Sequence, residues 1–224
     1  MKKALFTAAI LISSITVNAQ WKGSYTMIIE PHKAKEAVTA FLNFMENKMA
    51  MEMAMGKDAS VVRSIFDFKN NTITTTTEKE GSNKFAMVMK LREDVLEKSN
   101  EDVQFKTTEE QRTIDGYLCT KVIAETKDGI TEMWLTRDLN LSYENTIGMM
   151  PKTKNNPTSG FLKDLKQWKG IEGFPIEMIS YQKKKPEEKS SIRFKDIKSD
   201  VVNEKAFDLS GFQVMDMTQM LKGK

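Results

Sequence analysis

From Lys48 onward the chain sets a methionine at every second position, Met49, Met51, Met53 and Met55, and fills the alternate positions with Ala50, Glu52 and Ala54. Successive side chains of a strand point to opposite faces, so this period of two commits the segment to a β-strand with one apolar face. A helix would scatter the four thioethers around its circumference. The same period returns in residues 61–68, where Val62, Phe66 and Phe68 share a parity, and again in Phe85, Met87, Met89 and Leu91. Asn70-Asn71 and Gly81-Ser82-Asn83 are turn sequences on either side of the β-branched run 72–78. Alternating strands joined by short turns form antiparallel meanders.

The rest of the chain repeats the pattern. Residues 21–29 open it as an extended segment. Residues 103–114 and 117–126 flank Asp115-Gly116, and Lys127-Asp128-Gly129 turns the chain into residues 130–136; Asp-Gly supplies the positive φ that a tight hairpin needs. Residues 174–182 and 190–198 form a last pair across a charged loop. About ten strands exceed what one flat sheet accommodates and predict strong curvature or a barrel-like form. Two segments break the period. Residues 31–47 carry Ala34, Ala37, Val38, Phe41, Leu42 and Met45 at helical spacing after Pro31. Residues 159–169 place Phe161, Leu162, Leu165 and Trp168 on one face between Ser159 and Gly170. The expected fold is mainly β, of the α+β class: a curved antiparallel sheet with two helices against its concave side. A short helix near residues 215–221 is expected to close the chain.

Residues 1–19 read as an export signal. Lys2 and Lys3 precede an apolar run too short for a membrane span, and Val17-Asn18-Ala19 suits cleavage before Gln20. The expected mature chain, residues 20–224, is a single exported domain, periplasmic or secreted, with no stable membrane span. Removing the leader takes two of the 34 Lys+Arg and none of the 31 Asp+Glu, leaving 32 against 31. That balance gives no electrostatic case for nucleic acid. One cysteine cannot form an internal disulfide, so the core must supply stability itself.

Catalysis lacks its parts. His32 is the sole histidine, no nucleophile motif or phosphate-binding glycine loop is present, and the ligands for zinc or haem are missing. The expectation is a non-enzyme without cofactor or metal. Cys119, in a strand two residues after Tyr117, reads as a small buried hydrophobe rather than a reactive thiol. Thioethers suit Cu(I), but the four methionines of one strand are strung over nearly 20 Å and cannot share one ion. The stronger reading is a greasy surface. Met49, Met51, Met53, Phe66, Met87, Met89, Met133, Ile176 and Met178 are the expected apolar lining of a groove for a lipid or other hydrophobic ligand, since methionine repacks easily around irregular shapes. The competing reading is a filled core, and with it a module that binds another envelope protein; Phe41, Leu42 and Trp168 would then occupy the concave side.

Several stretches resemble one family. Thr113-Ile114-Asp115-Gly116-Tyr117, with Cys119 and Lys121, leads into Trp134-Leu135-Thr136, Asp138 and Leu139. Gly173-Phe174-Pro175-Ile176-Glu177-Met178 and the closing Phe207-Asp208-Leu209, Gly211-Phe212 and Val214-Met215 continue the pattern. Together they resemble an exported bacterial family known as domain of unknown function 4412. That family is similar to the periplasmic lipoprotein carriers of the LolA, LolB and LppX kind. The resemblance implies an unclosed antiparallel barrel holding acyl chains; it transmits no site residues. Arg63, Arg112, Arg137 and Arg193 are candidates, by residue type alone, for the arginine that some carriers use to hold a lid.

Overall fold

A computed structural model describes residues 21–33, 36–55, 60–78, 84–90, 103–139, 141 and 172–218. The proposed leader and the expected helix over 159–169 lie outside these residues. The described strands form one sheet. In chain order they are β1 (Gly23–Glu30), β2 (Val38–Met45), β3 (Lys48–Met55), β4 (Ser60–Asp67), β5 (Thr72–Glu78), β6 (Phe85–Lys90), β7 (Gln104–Ile114), β8 (Tyr117–Glu125), β9 (Gly129–Thr136), β10 (Phe174–Gln182), β11 (Lys185–Ser199) and β12 (Gln213–Asp216). Their spatial order is β12-β6-β5-β4-β3-β2-β1-β11-β10-β9-β8-β7. Every pairing is antiparallel except that of β12 with β6. The sheet is curved, as the number of strands predicts, and unclosed, as the family resemblance implies.

Twelve strands replace the expected ten, and the two additional ones correct two helix expectations. Residues 31–47 do not form a helix: β2 runs through them, paired with β1 and β3. Its inward residues Ala40, Leu42 and Phe44 are buried while Phe41 on the other face is exposed. Apolar residues on both faces give β2 a pattern that also matches a helix, and the hydrogen-bonding edges of β1 and β3 decide between them. The turn at Glu46-Asn47, with Glu46 at φ 48°, falls where the expected helix would have had its last residues. The second correction is at 215–221, where Gln213–Asp216 are extended as β12. The one helical element among the described residues is a single 3-10 turn, Glu204–Phe207.

Curvature shows in the core. Val122 and Met133 from one arm of the sheet join Leu42, Met49 and Phe66 from the other in a single buried cluster. Five rings form its densest part: Trp21, Tyr25, Phe44, Phe174 and Phe194, with centroids 5.1 to 6.0 Å apart. Such contacts add about 0.5–1.5 kcal/mol per pair beyond area burial. Gly23 lets Trp21 fold over its own strand, since a Cβ there would lie 2.4 Å from the indole and from the Lys198 carbonyl. At the β7–β8 hairpin Asp115 and Gly116 take φ of 50° and 88°, the pair of positive values that a two-residue turn matched to strand twist requires.

Candidate functional site

Strand register assembles the inner face row by row. Phe44, Met49, Phe66, Ile73 and Met89 stand side by side across β2 to β6. The next row holds Leu42, Met51, Ser64, Thr75 and Met87 and extends to Met215 on β12. The third holds Ala40, Met53, Val62, Thr77 and Phe85. On the other arm Ile192, Met178, Met133 and Val122 form a matching row, and Ile176 sits buried at the β10 bulge. All nine residues expected to line a groove therefore belong to this assembly, eight of them placed on its face by register.

Exposure rises along the strands away from the aromatic cluster. Met49, Met133, Ile176 and Met178 are fully buried, Met51, Met53 and Met89 are half-buried, and Met87 reaches 41%. Phe66, Ser64 and Val62 on β4 follow the same gradient. Among the described residues the inner face thus has a closed aromatic floor and an open mouth. Val38, Thr77 and Phe85, the last 45% exposed, stand at the mouth, as do the Thr131 and Ser180 hydroxyls, which bond each other at 2.8 Å. Phe85 and Met215 belong to the mouth although they are not among the expected lining residues. Phe85 shares the parity of Met87, a signal present in the sequence; Met215 has none, because its partner β6 is remote in the chain.

Charge is segregated. Lys48, Glu52, Arg63, Asp67, Glu78 and Lys90 all fall on the outer parity of β3 to β6, so the described inner rows of these strands carry no ionisable side chain. Burying a charge among these methionines would cost several kcal/mol unless it were paired. The outer face instead carries ion pairs. Lys121 reaches Glu132 at 3.0 Å and Arg112 pairs with Glu177 while lying 4.1 Å over the Trp134 ring. Burial pushes the Glu132 carboxyl up, but hydrogen bonds from Lys121 and the Tyr181 hydroxyl outweigh it and leave it below the ordinary carboxylate value.

The outer face is also where the chain end is fastened. Residues 200–217 cross β2 to β6 as a strap. The Asn203 N–H donates to the buried Asn43 Oδ1 at 2.9 Å, and Ala206 packs on Ala50 and Ile65. Arg63 donates to the carbonyls of Lys205 (3.2 Å) and Asp208 (3.0 Å) while pairing with Glu52 (3.1 Å) and Glu78 (3.0 Å). The strap ends as β12 beside β6, completing that edge of the mouth.

The remaining candidate residues lie away from the inner face or are inert. Arg63 is the strap clamp, Arg193 faces outward 3.7 Å from Asp115, and Arg137 is a surface partner of Glu172. Cys119 is buried, its Sγ donates to the Tyr117 carbonyl at 3.4 Å, and burial pushes the thiol pKa up, the reverse of an activated nucleophile. His32 is exposed just after β1 and its backbone N–H donates to Ser190 Oγ. Phe41 is 54% exposed on the outer face, so it does not fill the concave side; Leu42 does, and Trp168 lies outside the described residues. The β3 methionines run from a fully buried Met49 to a half-buried Met53, a geometry that does not gather them about one ion.

Among the described residues, fold and site together define a class, an unclosed antiparallel half-barrel whose inner rows over β3 to β6 are uncharged and largely apolar, with exposed residues at one end. The chain belongs to the family described as domain of unknown function DUF4412, whose model matches residues 21–210. No curated protein matches it. Among solved structures it is similar to an uncharacterized conserved protein from Thermus thermophilus, with TM-score 0.47, 8% identity, and coverage of 89% of this chain and 94% of that one. It is similar to PNGF-II, with TM-score 0.42 and 13% identity, over 89% of this chain and 31% of that one, so it spans under a third of that protein's length. It is also similar to a LolA superfamily protein from Nitrosomonas europaea, with TM-score 0.33, 11% identity and coverage of 84% and 90%. Among the described residues no helix is long and apolar enough to cross a membrane.

Proposed function

We propose that this protein is an exported, non-enzymatic carrier that holds an acyl chain or similar apolar ligand against the inner face, between the aromatic floor and the open mouth. The observation that carries this reading is the uncharged inner surface of β3 to β6, buried at the floor and exposed at Phe85 and Met87. An apolar surface open to water at one end is stabilised by whatever covers it. At about 0.8 kcal/mol per methylene, ten carbons bring about 8 kcal/mol, the scale of a micromolar Kd before the cost of ordering. The leader read in residues 1–19 supports export, with the ligand met in the periplasm or outside the cell. The alternative of a filled barrel that serves as an interaction module fits the floor and not the mouth.

Uptake of a fluorescent fatty-acyl probe tests the proposal. The pair Phe85→Asp/Met87→Asp sets two carboxylates against the chain and should weaken binding about tenfold or more. Phe41→Asp, equally exposed but on the outer face, should leave it unchanged. Equal probe binding by all three proteins, with folds matched by circular dichroism, would refute the placement of the ligand.

A further inference from the structure

The strap brings together two short motifs that stand far apart in the sequence, Met87-Val88-Met89 and Met215-Asp216-Met217. β12 runs parallel to β6 with Met215 beside Met87. Gln213 N–H donates to the Lys84 carbonyl and Met217 N–H to the Val88 carbonyl, each at 2.8 Å, so the ladder stays in step one residue past the strand end. Met217 therefore stands beside Met89, and all four side chains leave the same face. Neighbouring strands lie about 4.8 Å apart and alternate residues about 6.6 Å, which makes a compact square of four thioethers on long, flexible side chains. Met87 and Met215 are each about half exposed, Met89 and Met217 half-buried, so the square is open to solvent.

The chemistry of this donor set is narrow. Lys90, Lys84 and Asp216 occupy the opposite parity, and the Asp216 carboxylate accepts a hydrogen bond from the Thr218 N–H. Four neutral sulfurs without carboxylate or imidazole offer little to a hard dication and suit a soft monovalent one. We propose that the β6–β12 edge binds one Cu(I) ion through the thioethers of Met87, Met89, Met215 and Met217. The ion ties the end of the strap to the sheet. Because a thioether carries no titrating proton, affinity is independent of pH across the range where imidazole titrates, about pH 5.5 to 7.5.

The test is transfer of Cu(I) from a chromophoric chelator to the full mature chain under anaerobic reducing conditions, with Ag(I) as a redox-inert probe for stoichiometry by native mass spectrometry. The expected result is one ion per chain with a flat pH profile. Replacing all four methionines, Met87→Leu, Met89→Leu, Met215→Leu and Met217→Leu, keeps volume and apolarity, so it should abolish metal binding while the fold, followed by circular dichroism, is unchanged. The exposed pair Met87→Leu/Met215→Leu, which places no strain on the core, should weaken binding by roughly tenfold or more, a loss that even outer-shell changes produce at metal sites. Met49→Leu/Met51→Leu/Met53→Leu should bind as wild type. The proposal is overturned if wild type takes no ion from the chelator, if either edge variant binds as wild type, or if the affinity falls with pH as for a histidine site. Loss of probe uptake by wild type would strike the carrier reading and leave this one standing.

Discussion

Arg63→Ala tests how the mouth is held. Arg63 joins β3, β4, β5 and the strap, through Glu52, Glu78 and the carbonyls of Lys205 and Asp208, with Phe212 5.6 Å from its guanidinium. Its side chain is only 11% exposed, so truncation removes its bonds to the two strap carbonyls, leaves Glu52 without its countercharge and leaves Glu78 with Lys84 alone. Each charge-assisted bond lost costs about 1.5–3 kcal/mol, and the two glutamates, a quarter to a third exposed, recover part of their hydration. The net expected loss is about 3 kcal/mol. With a urea m-value of about 2 kcal/mol/M, the midpoint of tryptophan-monitored unfolding moves down by about 1.5 M. Arg63→Lys should recover only part, because one ammonium cannot serve two carboxylates and two carbonyls together. Limited proteolysis should show new cleavage within residues 200–217 of Arg63→Ala. A midpoint shift under about 0.3 M with an unchanged cleavage pattern would refute the clamp.

Other consequences are equally direct. Native Cys119 should react with a thiol reagent only as fast as the protein opens and fully in urea, since the side chain is inaccessible and burial raises its pKa; rapid native labelling would contradict that. Glu132 has a folded pKa below its ordinary 4.5, so its contribution is fully present above that value and lost as pH falls through the lower folded one. The stability gap between wild type and Glu132→Gln should accordingly be constant above about pH 5 and shrink in acid; a gap that widens in acid would reverse the assignment. Ala206→Leu should destabilise by about 1–3 kcal/mol through overpacking beneath the strap, read in the same urea experiment, and an unchanged midpoint would mean the strap is not seated there.

How far the sequence reaches is set by the range of the interaction. The β3 and β6 methionine alternations and the Asp115-Gly116 turn are local signals, and the structure places each where its period and turn chemistry require. The pattern of β2 misleads because Phe41 and Met45 add apolar residues outside the alternation of Ala40, Leu42 and Phe44, and only pairing with both neighbours resolves it. β12 has no turn linking it to β6; a parallel pairing across more than half the chain leaves no periodic trace in a four-residue strand. The same distance hides the strap clamp, so Arg63 stands out by residue type alone. The rows of the inner face are legible to the extent that they follow strand parity, and Met215 lies beyond them for the reason β12 does.

The central claim is that the inner face carries an apolar molecule. The most direct measurement is native mass spectrometry of the protein purified gently from the envelope in which it is expressed. The expected result is an adduct with the mass of an acyl-containing lipid, released by organic solvent and reduced in Phe85→Asp/Met87→Asp. Protein that emerges repeatedly without any adduct, and that takes up no lipid when offered it, would overturn the carrier reading.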